Sequence, residues 1–427
     1  MKVIPLIFIL YIFILGCSSQ TGYRGDPEET NESRKKDQLS IYNLDPETYI
    51  PKEFGIFDFV NDDLEIIRLE TCMDCFIGHP LNMVIEDEFI LVGSITGSMK
   101  PGELLRFSRD GKFEYKFGNG GKGHGEHVGW DPRKVRFYPE DNTVMVYWGG
   151  GHSTIQLFDL KGNFKEQIDI PHPLLMNTAE RLSDSTWFVT GQDDWGIRFS
   201  RITVDDSIRF SLFSTNGELI SEIPRKNFPT LNKLQEAAFM PWPLPYKYNG
   251  TWKFNLKGND TLFSIINHQL KPDAILATPT SEYPLNIRVL RETDAYLMLV
   301  IYTKYVKGIK DLGNGSRFID SEIERYFVLV DKSTKKSYSI KLLDDVFFIL
   351  DNFKRYDGDF MEKHFEWKND RLTFAISANE WIQRAEKLDT SKLRPVIQEK
   401  LKILEGLKED DNPIVFTFTL KDEIDFE

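Results

Sequence analysis

A seven-residue hairpin written three times constrains this chain more than any other feature. It reads Phe107-Ser108-Arg109-Asp110-Gly111-Lys112-Phe113, then Phe158-Asp159-Leu160-Lys161-Gly162-Asn163-Phe164, then Phe213-Ser214-Thr215-Asn216-Gly217-Glu218-Leu219. In each copy an aromatic enters the turn, an apolar residue leaves it, and a glycine stands where a tight hairpin needs positive φ. The flanking residues 105–107 and 113–117 alternate as half-buried strands do. Further tips fall near Asp62, His268 and Thr334, so the six tips are spaced by 49, 51, 55, 51 and 66 residues. The last interval holds a Gly- and Lys-containing insert at 305–316. A period near 50 with four short strands per unit marks a β-propeller blade, and six tips imply six blades. With 41% hydrophobic residues and 32 Phe, the chain can fill such an all-β core.

The first unit takes strands near 81–85, 89–92, 104–108 and 113–117. The second takes 135–137, 144–147, 154–159 and 164–168, and the third 179–182, 187–190, 209–214 and 218–222. A fourth, at 252–255, 262–265 and 273–277, is one strand short. The fifth takes 286–290, 295–302, 325–330 and 337–342. The ends are incomplete: 57–69 supplies one hairpin, while 372–376 and 414–420 supply strands with no hairpin after them. Joined, they make a sixth blade from both termini and remove two exposed sheet edges. Between the last two strands, 379–388 and 393–407 carry helical periodicity, a small insertion at about 378–408. Trp381, Ile382 and Ala385 form an apolar side that would pack on the closing blade.

Residues 1–17 read as a lipoprotein signal: Lys2, an apolar run over 3–15 too short to span a bilayer, then Ile14-Leu15-Gly16-Cys17. Cys17 would carry the lipid and tie the chain to a membrane. Ser18 after it is similar to sorting patterns of lipoproteins not held at the inner membrane, which points to the outer membrane, on its periplasmic side or at the surface. Residues 18–40 are too polar to order themselves and read as a tether, leaving 41–427 for the propeller. A net charge of −13 argues against nucleic acid as a partner.

In a four-stranded blade, the connections after the second and fourth strands open on one face. Those after the first and third open on the other. The first set is mostly long (93–102, 118–132, 149–153, 191–206, 224–248, 303–321 and 344–370). The second is short, with the helical insertion as its exception. The long-loop face is therefore the expected working face.

The stretch 107–113 followed by Phe117-Gly118-Asn119-Gly120-Gly121-Lys122-Gly123-His124-Gly125-Glu126 resembles the NHL-type repeat. More closely, it resembles the six-bladed β-propeller lipoproteins of Gram-negative bacteria. Gly258-Asn259-Asp260-Thr261-Leu262-Phe263 before Leu270-Lys271-Pro272, and Tyr326-Phe327-Val328-Leu329-Val330-Asp331-Lys332, are similar to that family's pattern. The resemblance implies an extracytoplasmic, lipid-anchored propeller and no single activity. His124 departs from it, since the family more often has proline there.

Several residues on the long-loop side could carry function. His124, His127 and His152, with Asp193 and Asp194, could hold a divalent metal if they converge at the central channel, although their spacing forms no tight ligand motif. Trp130, Trp148, Trp195 and Trp242 could stack on a sugar or grip a peptide, or could simply cap the channel. The glycine-rich 118–126 stretch lacks the Lys-Ser/Thr ending of a phosphate loop and reads as a turn. Cys72-Met73-Asp74-Cys75 reads as a local disulfide in an oxidising compartment, with free thiols or a metal as alternatives. No nucleophile elbow or Ser-His-Asp pattern occurs. Two readings remain: a binding or scaffolding module with no cofactor, for a peptide, glycan or partner protein, and a metal-assisted hydrolase or lyase at the channel mouth. The ligand candidates are His124, Trp148, His152, Asp193, Asp194 and Trp195.

Overall fold

The three hairpins that share a sequence also share a hydrogen-bond pattern. The glycine amide donates to the carbonyl three residues back, Gly111 to Ser108 at 2.9 Å, Gly162 to Asp159 at 3.0 Å and Gly217 to Ser214 at 3.0 Å. All three glycines take positive φ, between 77° and 86°. The aromatics entering and leaving the turn meet edge-on, Phe107 with Phe113 at 5.7 Å and Phe158 with Phe164 at 6.0 Å. Such pairs add stability beyond the area they bury.

These contacts come from a computed structural model of the chain. It describes residues 39–95, 102–120, 126–127, 132–148, 154–169, 176–183, 185–191, 208–224, 245–255, 260–279, 286–311, 317–342, 365–368, 370–386, 388, 391 and 393–426. The chain starts with β1 (Ser40–Asn43), β2 (Ile50–Phe54), helix α1 (Ile56–Phe59) and β3 (Glu65–Arg68). Blade one is β4 (His79–Ile85), β5 (Phe89–Ile95), β6 (Glu103–Ser108) and β7 (Phe113–Phe117). A small ladder, β8 (Asn119–Gly120) with β9 (Glu126–His127), leads to blade two: β10 (Pro132–Tyr138), β11 (Thr143–Trp148), β12 (Thr154–Asp159) and β13 (Phe164–Asp169). Blade three is β14 (Met176–Ser183), β15 (Thr186–Gly191), β16 (Ile208–Ser214) and β17 (Leu219–Pro224). Blade four is β18 (Tyr246–Tyr248), β19 (Thr251–Asn255), β20 (Thr261–Ile266) and β21 (Gln269–Ala277). Blade five is β22 (Asn286–Glu292), β23 (Tyr296–Asp311), β24 (Arg317–Asp331) and β25 (Ser337–Leu342). Then come β26 (Phe365–Lys368), β27 (Arg371–Ile376), helices α2 (Ala378–Ala385) and α3 (Pro395–Leu401), and β28 (Ile414–Thr419).

The sixth blade runs β26-β27-β28-β3 and joins the two termini, with Ile414 opposite Arg68 and Thr417 opposite Glu65. The N-terminal share differs from the sequence expectation. It is one strand, not a hairpin, because 56–59 is a short helix and Val60 makes only an isolated bridge to Leu420. The missing C-terminal strand is β26, inside a stretch read as loop. Similarly, Tyr246–Tyr248 supplies the strand that blade four lacked.

The first residues of the propeller, to which the sequence assigned no strands, supply two. Ser40–Asn43 pairs in parallel with Ala274–Ala277, and Ile50–Phe54 in parallel with Tyr338–Leu342. The N-terminal segment thus adds a fifth, outermost strand to blade four and another to blade five. Each covers a sheet edge that would otherwise present unpaired backbone groups.

Six clusters of buried apolar residues lie one between each pair of neighbouring blades. Period-two alternation creates them: on β5, Ile90 and Val92 face blade six while Phe89 and Leu91 face blade two. In the helical insertion, Ser377 caps α2 by accepting from the Glu380 amide, and Trp381 packs on Phe416 at 5.2 Å. The buried side of α2 is Ala378, Trp381 and Arg384, whereas Ile382 is half-buried and Ala385 exposed. Since β27 is the second strand of its blade, the insertion leaves from the same end as the long connections. It is not the exception the sequence suggested.

Candidate functional site

Connection length separates the two ends of the blades. After first and third strands, no connection among the five internal blades exceeds five residues. After second and fourth strands, connections as short as 149–153 and 256–260 occur, but most of the chain spent there lies in 96–102, 118–131, 192–207, 225–245, 343–364 and 377–413.

One described feature at the long end is an arm, where the sequence suggested an irregular loop. β22 pairs with β23 only as far as Tyr302. Beyond it, among the described residues, Thr303 to Asp311 pair only with Arg317 to Glu324, so a two-stranded ribbon projects roughly 30 Å from blade five. A bulge between Val306 and Gly308 adds twist. Tyr305 donates to Glu324 at 3.0 Å, and Lys307 pairs with Glu322 at 2.8 Å. Burial and then Glu324 push the Tyr326 phenol up to about 12, so it remains a neutral donor.

The glycine-rich stretch is tied down at both ends. Asn119 and Gly120 pair in parallel with Glu126 and His127, and the buried Gln156 donates to the Glu126 carbonyl at 2.9 Å. The stretch is therefore a closed excursion fastened to blade two. His124 belongs to it but lies outside the described residues. Trp148 ends β11, its backbone opposite Pro132, and His152 falls between Trp148 and β12, again outside the described residues. β15 ends at Gly191, and Asp193, Asp194 and Trp195 follow it, also outside. Of the six ligand candidates, Trp148 alone lies within the described residues, as the last residue of the second strand of blade two.

A third feature of this end is the crossing from β3 to β4. Cys72 and Cys75 are linked as a disulfide with Cα atoms 5.1 Å apart, and the Cys75 amide donates to the Cys72 carbonyl. The crossing is held from the other terminus by Asn412, which is 2% exposed. Its Nδ2 donates to the Glu70 and Cys75 carbonyls at 2.6 and 2.8 Å, and its Oδ1 accepts from the Ile77 amide at 2.8 Å. Sequence reading missed Asn412, because nothing local marks an asparagine as the partner of a loop more than 330 residues away.

A family model described as a domain of unknown function, DUF4934, matches residues 40–419. The chain belongs to the DUF4934 family. The match begins at β1, so the two outer strands of the N-terminal segment belong to the family's unit together with the closing strand β28. No curated protein matches the chain. Among solved structures, a protein named as exported from Bacteroides fragilis is 14% identical, with a TM-score of 0.56, covering 90% of this chain and 100% of its own. A DUF4221 family member from Bacteroides vulgatus is 11% identical, with a TM-score of 0.43, covering 86% and 98%. The first likeness concerns the fold alone.

Against this DUF4934 fold, one further polar cluster stands out. Between blades four and five, Glu292 accepts from Lys253 at 3.0 Å, Lys332 at 2.9 Å and Tyr246 at 2.7 Å, while Asp273 accepts from Lys253 at 2.8 Å. Both ammonium groups lie over the Tyr248 ring, at 4.6 and 4.5 Å. Burial and then Glu292 raise the Tyr246 phenol well above its usual value. Burial opposes the Lys253 charge, yet its carboxylate partners outweigh it and hold that pKa above the usual one. At neutral pH the Tyr246 phenol therefore keeps its proton and Lys253 its charge, and the cluster ties the two blades together. It is an inter-blade clamp. Among the described residues, no three His, Cys, Asp or Glu side chains gather to hold a metal ion.

Proposed function

We propose that the chain is a lipid-anchored, extracytoplasmic binding or scaffolding module that holds a peptide, glycan or partner protein on the long-connection end of its propeller. The observation that carries this reading is the asymmetry of the blades. One end has tight turns, while the other bears the projecting arm of blade five, the fastened glycine-rich excursion and the connections with His124, Trp148, His152, Asp193, Asp194 and Trp195. Variable, extended connections on a rigid disc are how a repeat scaffold presents a binding surface. Lipid on Cys17 supplies the anchor, and an address outside the cytoplasm agrees with the exported Bacteroides fragilis protein of the same fold.

An array of cell-envelope glycans and peptides tests the binding role. Retention should survive alanine at His124, His152, Asp193 and Asp194, and should fall with alanine at Trp148 and Trp195 or with removal of the arm. Retention that depends on the imidazoles and carboxylates, and not on the tryptophans, would refute the reading. Metabolic labelling with an alkyne fatty acid, abolished by Cys17→Ala, tests the anchor.

A further inference from the structure

Among the described residues, the outer edge of blade three is open to another strand. The fourth strands of the next two blades are each covered by a parallel strand of the chain itself, β1 on β21 and β2 on β25. The closing strand β3 lies against the helical insertion, where Lys400 donates to the Leu64 carbonyl at 2.5 Å. The fourth strands of blades one and two defend their edges with exposed charge, Glu114 and Lys116 on β7 and Lys165 and Glu166 on β13. Native sheets use such charges to refuse another strand.

β17 follows neither pattern. Among the described residues nothing pairs with its outer side. Leu219 and Ile220 are 48% and 43% exposed, and the strand Leu-Ile-Ser-Glu-Ile-Pro carries a single charge. We propose that β17 is a strand-addition site for an extended segment of a partner protein, running parallel to it as β2 runs to β25. Both fourth strands are six residues long, and β2 pairs with the last five of β25, which correspond to residues 220–224 of β17. Backbone hydrogen bonds supply affinity in this mode, and alternate side chains supply selectivity. The exposed Leu219 and Ile220 call for branched apolar residues on the incoming strand. Glu218, exposed just before β17, calls for a basic one. This inference concerns the rim of the disc and stands or falls apart from the reading of the long-connection end.

The test is a displayed library of random seven-residue peptides, selected on the full chain. The expected winners carry branched apolar residues at alternate positions with a lysine or arginine among them. A synthetic copy of a winner should slow amide exchange in β17, and should bind about tenfold or more weakly to Ile220→Lys, a surface change the fold tolerates. Winners that bind Ile220→Lys equally well, or that protect amides elsewhere, would overturn the proposal. So would a self-associating chain whose association is lost with Ile220→Lys, since the occupant would then be a second copy.

Discussion

Gly111 stands directly on the backbone of Arg68. A Cβ at residue 111 would fall inside the contact radius of the Arg68 carbonyl oxygen and 3.0 Å from its carbon. The two residues belong to neighbouring blades, one at the tip of blade one and the other at the end of β3 in blade six. A looser contact recurs one blade on, where a Cβ at Gly162 would sit 3.4 Å from the Phe117 side chain. The turn glycine is therefore also the point where one blade rests on the previous one.

Gly111→Ala should destabilise the fold by about 3 kcal/mol, from left-handed strain of about 1 kcal/mol plus displacement of the Arg68 carbonyl. Gly250 takes a similar φ of 76° with nothing within 4 Å of its missing Cβ, so Gly250→Ala should lose only the strain. Urea unfolding of the two variants side by side checks the difference.

Asn412→Ala should cost about 2–4 kcal/mol, because it strands two carbonyls and the Ile77 amide in a buried place. Hydrogen exchange should report the loss first at the Ile77 amide. Replacing Cys72 and Cys75 by serine should cost less, about 2 kcal/mol by the entropy of so small a loop.

Glu292→Gln should cost about 3 kcal/mol near neutral pH, since Lys332 keeps its burial and loses this carboxylate partner while Lys253 is left with Asp273 alone. The clamp also sets a pH dependence. Lys253 and Tyr246 have folded-state pKa values above their ordinary 10.5 and 10.0. Their contribution is therefore complete below about pH 10 and is lost as pH rises through the folded-state values. Unfolding midpoints between about pH 8 and 11 should fall more steeply in the wild type than in Glu292→Gln.

Replacing 303–324 by Asn-Gly should leave stability within about 1 kcal/mol. Tyr302 and Arg325 already face each other across the ladder, and an exposed pair such as Lys307–Glu322 contributes little. Calorimetry checks stability, and the envelope array checks binding on the same protein.

Local physics explains how much of this was legible. The three glycine hairpins were readable because the turn, the aromatic pair and the period-two arms all lie within a dozen residues. The tips of blades four and five were faint for a physical reason: Asn267, His268 and Lys335 take the left-handed φ there, with no glycine to announce it. The parallel strands β1 and β2 were illegible because their partners lie more than 230 residues away, and neither Ser-Ile-Tyr-Asn nor Ile-Pro-Lys-Glu-Phe alternates strongly enough to read as a strand. The arm was read as a loop because a glycine and several lysines broke its alternation, which a bulge absorbs. Of the six ligand candidates, only Trp148 falls within the described residues, at the end of a second strand, because the others sit in connections whose local sequence carries no alternating pattern.

By itself, then, the sequence determined the blade: an alternating pattern and a positive-φ turn are properties of neighbouring residues, and repetition every 50 or so residues makes a ring the way to bury every sheet face. Only the tertiary structure decided how the ring is finished. Which edges are capped, which asparagine holds the seam and which carboxylate joins two blades depend on groups hundreds of residues apart, and their pairing free energy exists only once the disc has formed.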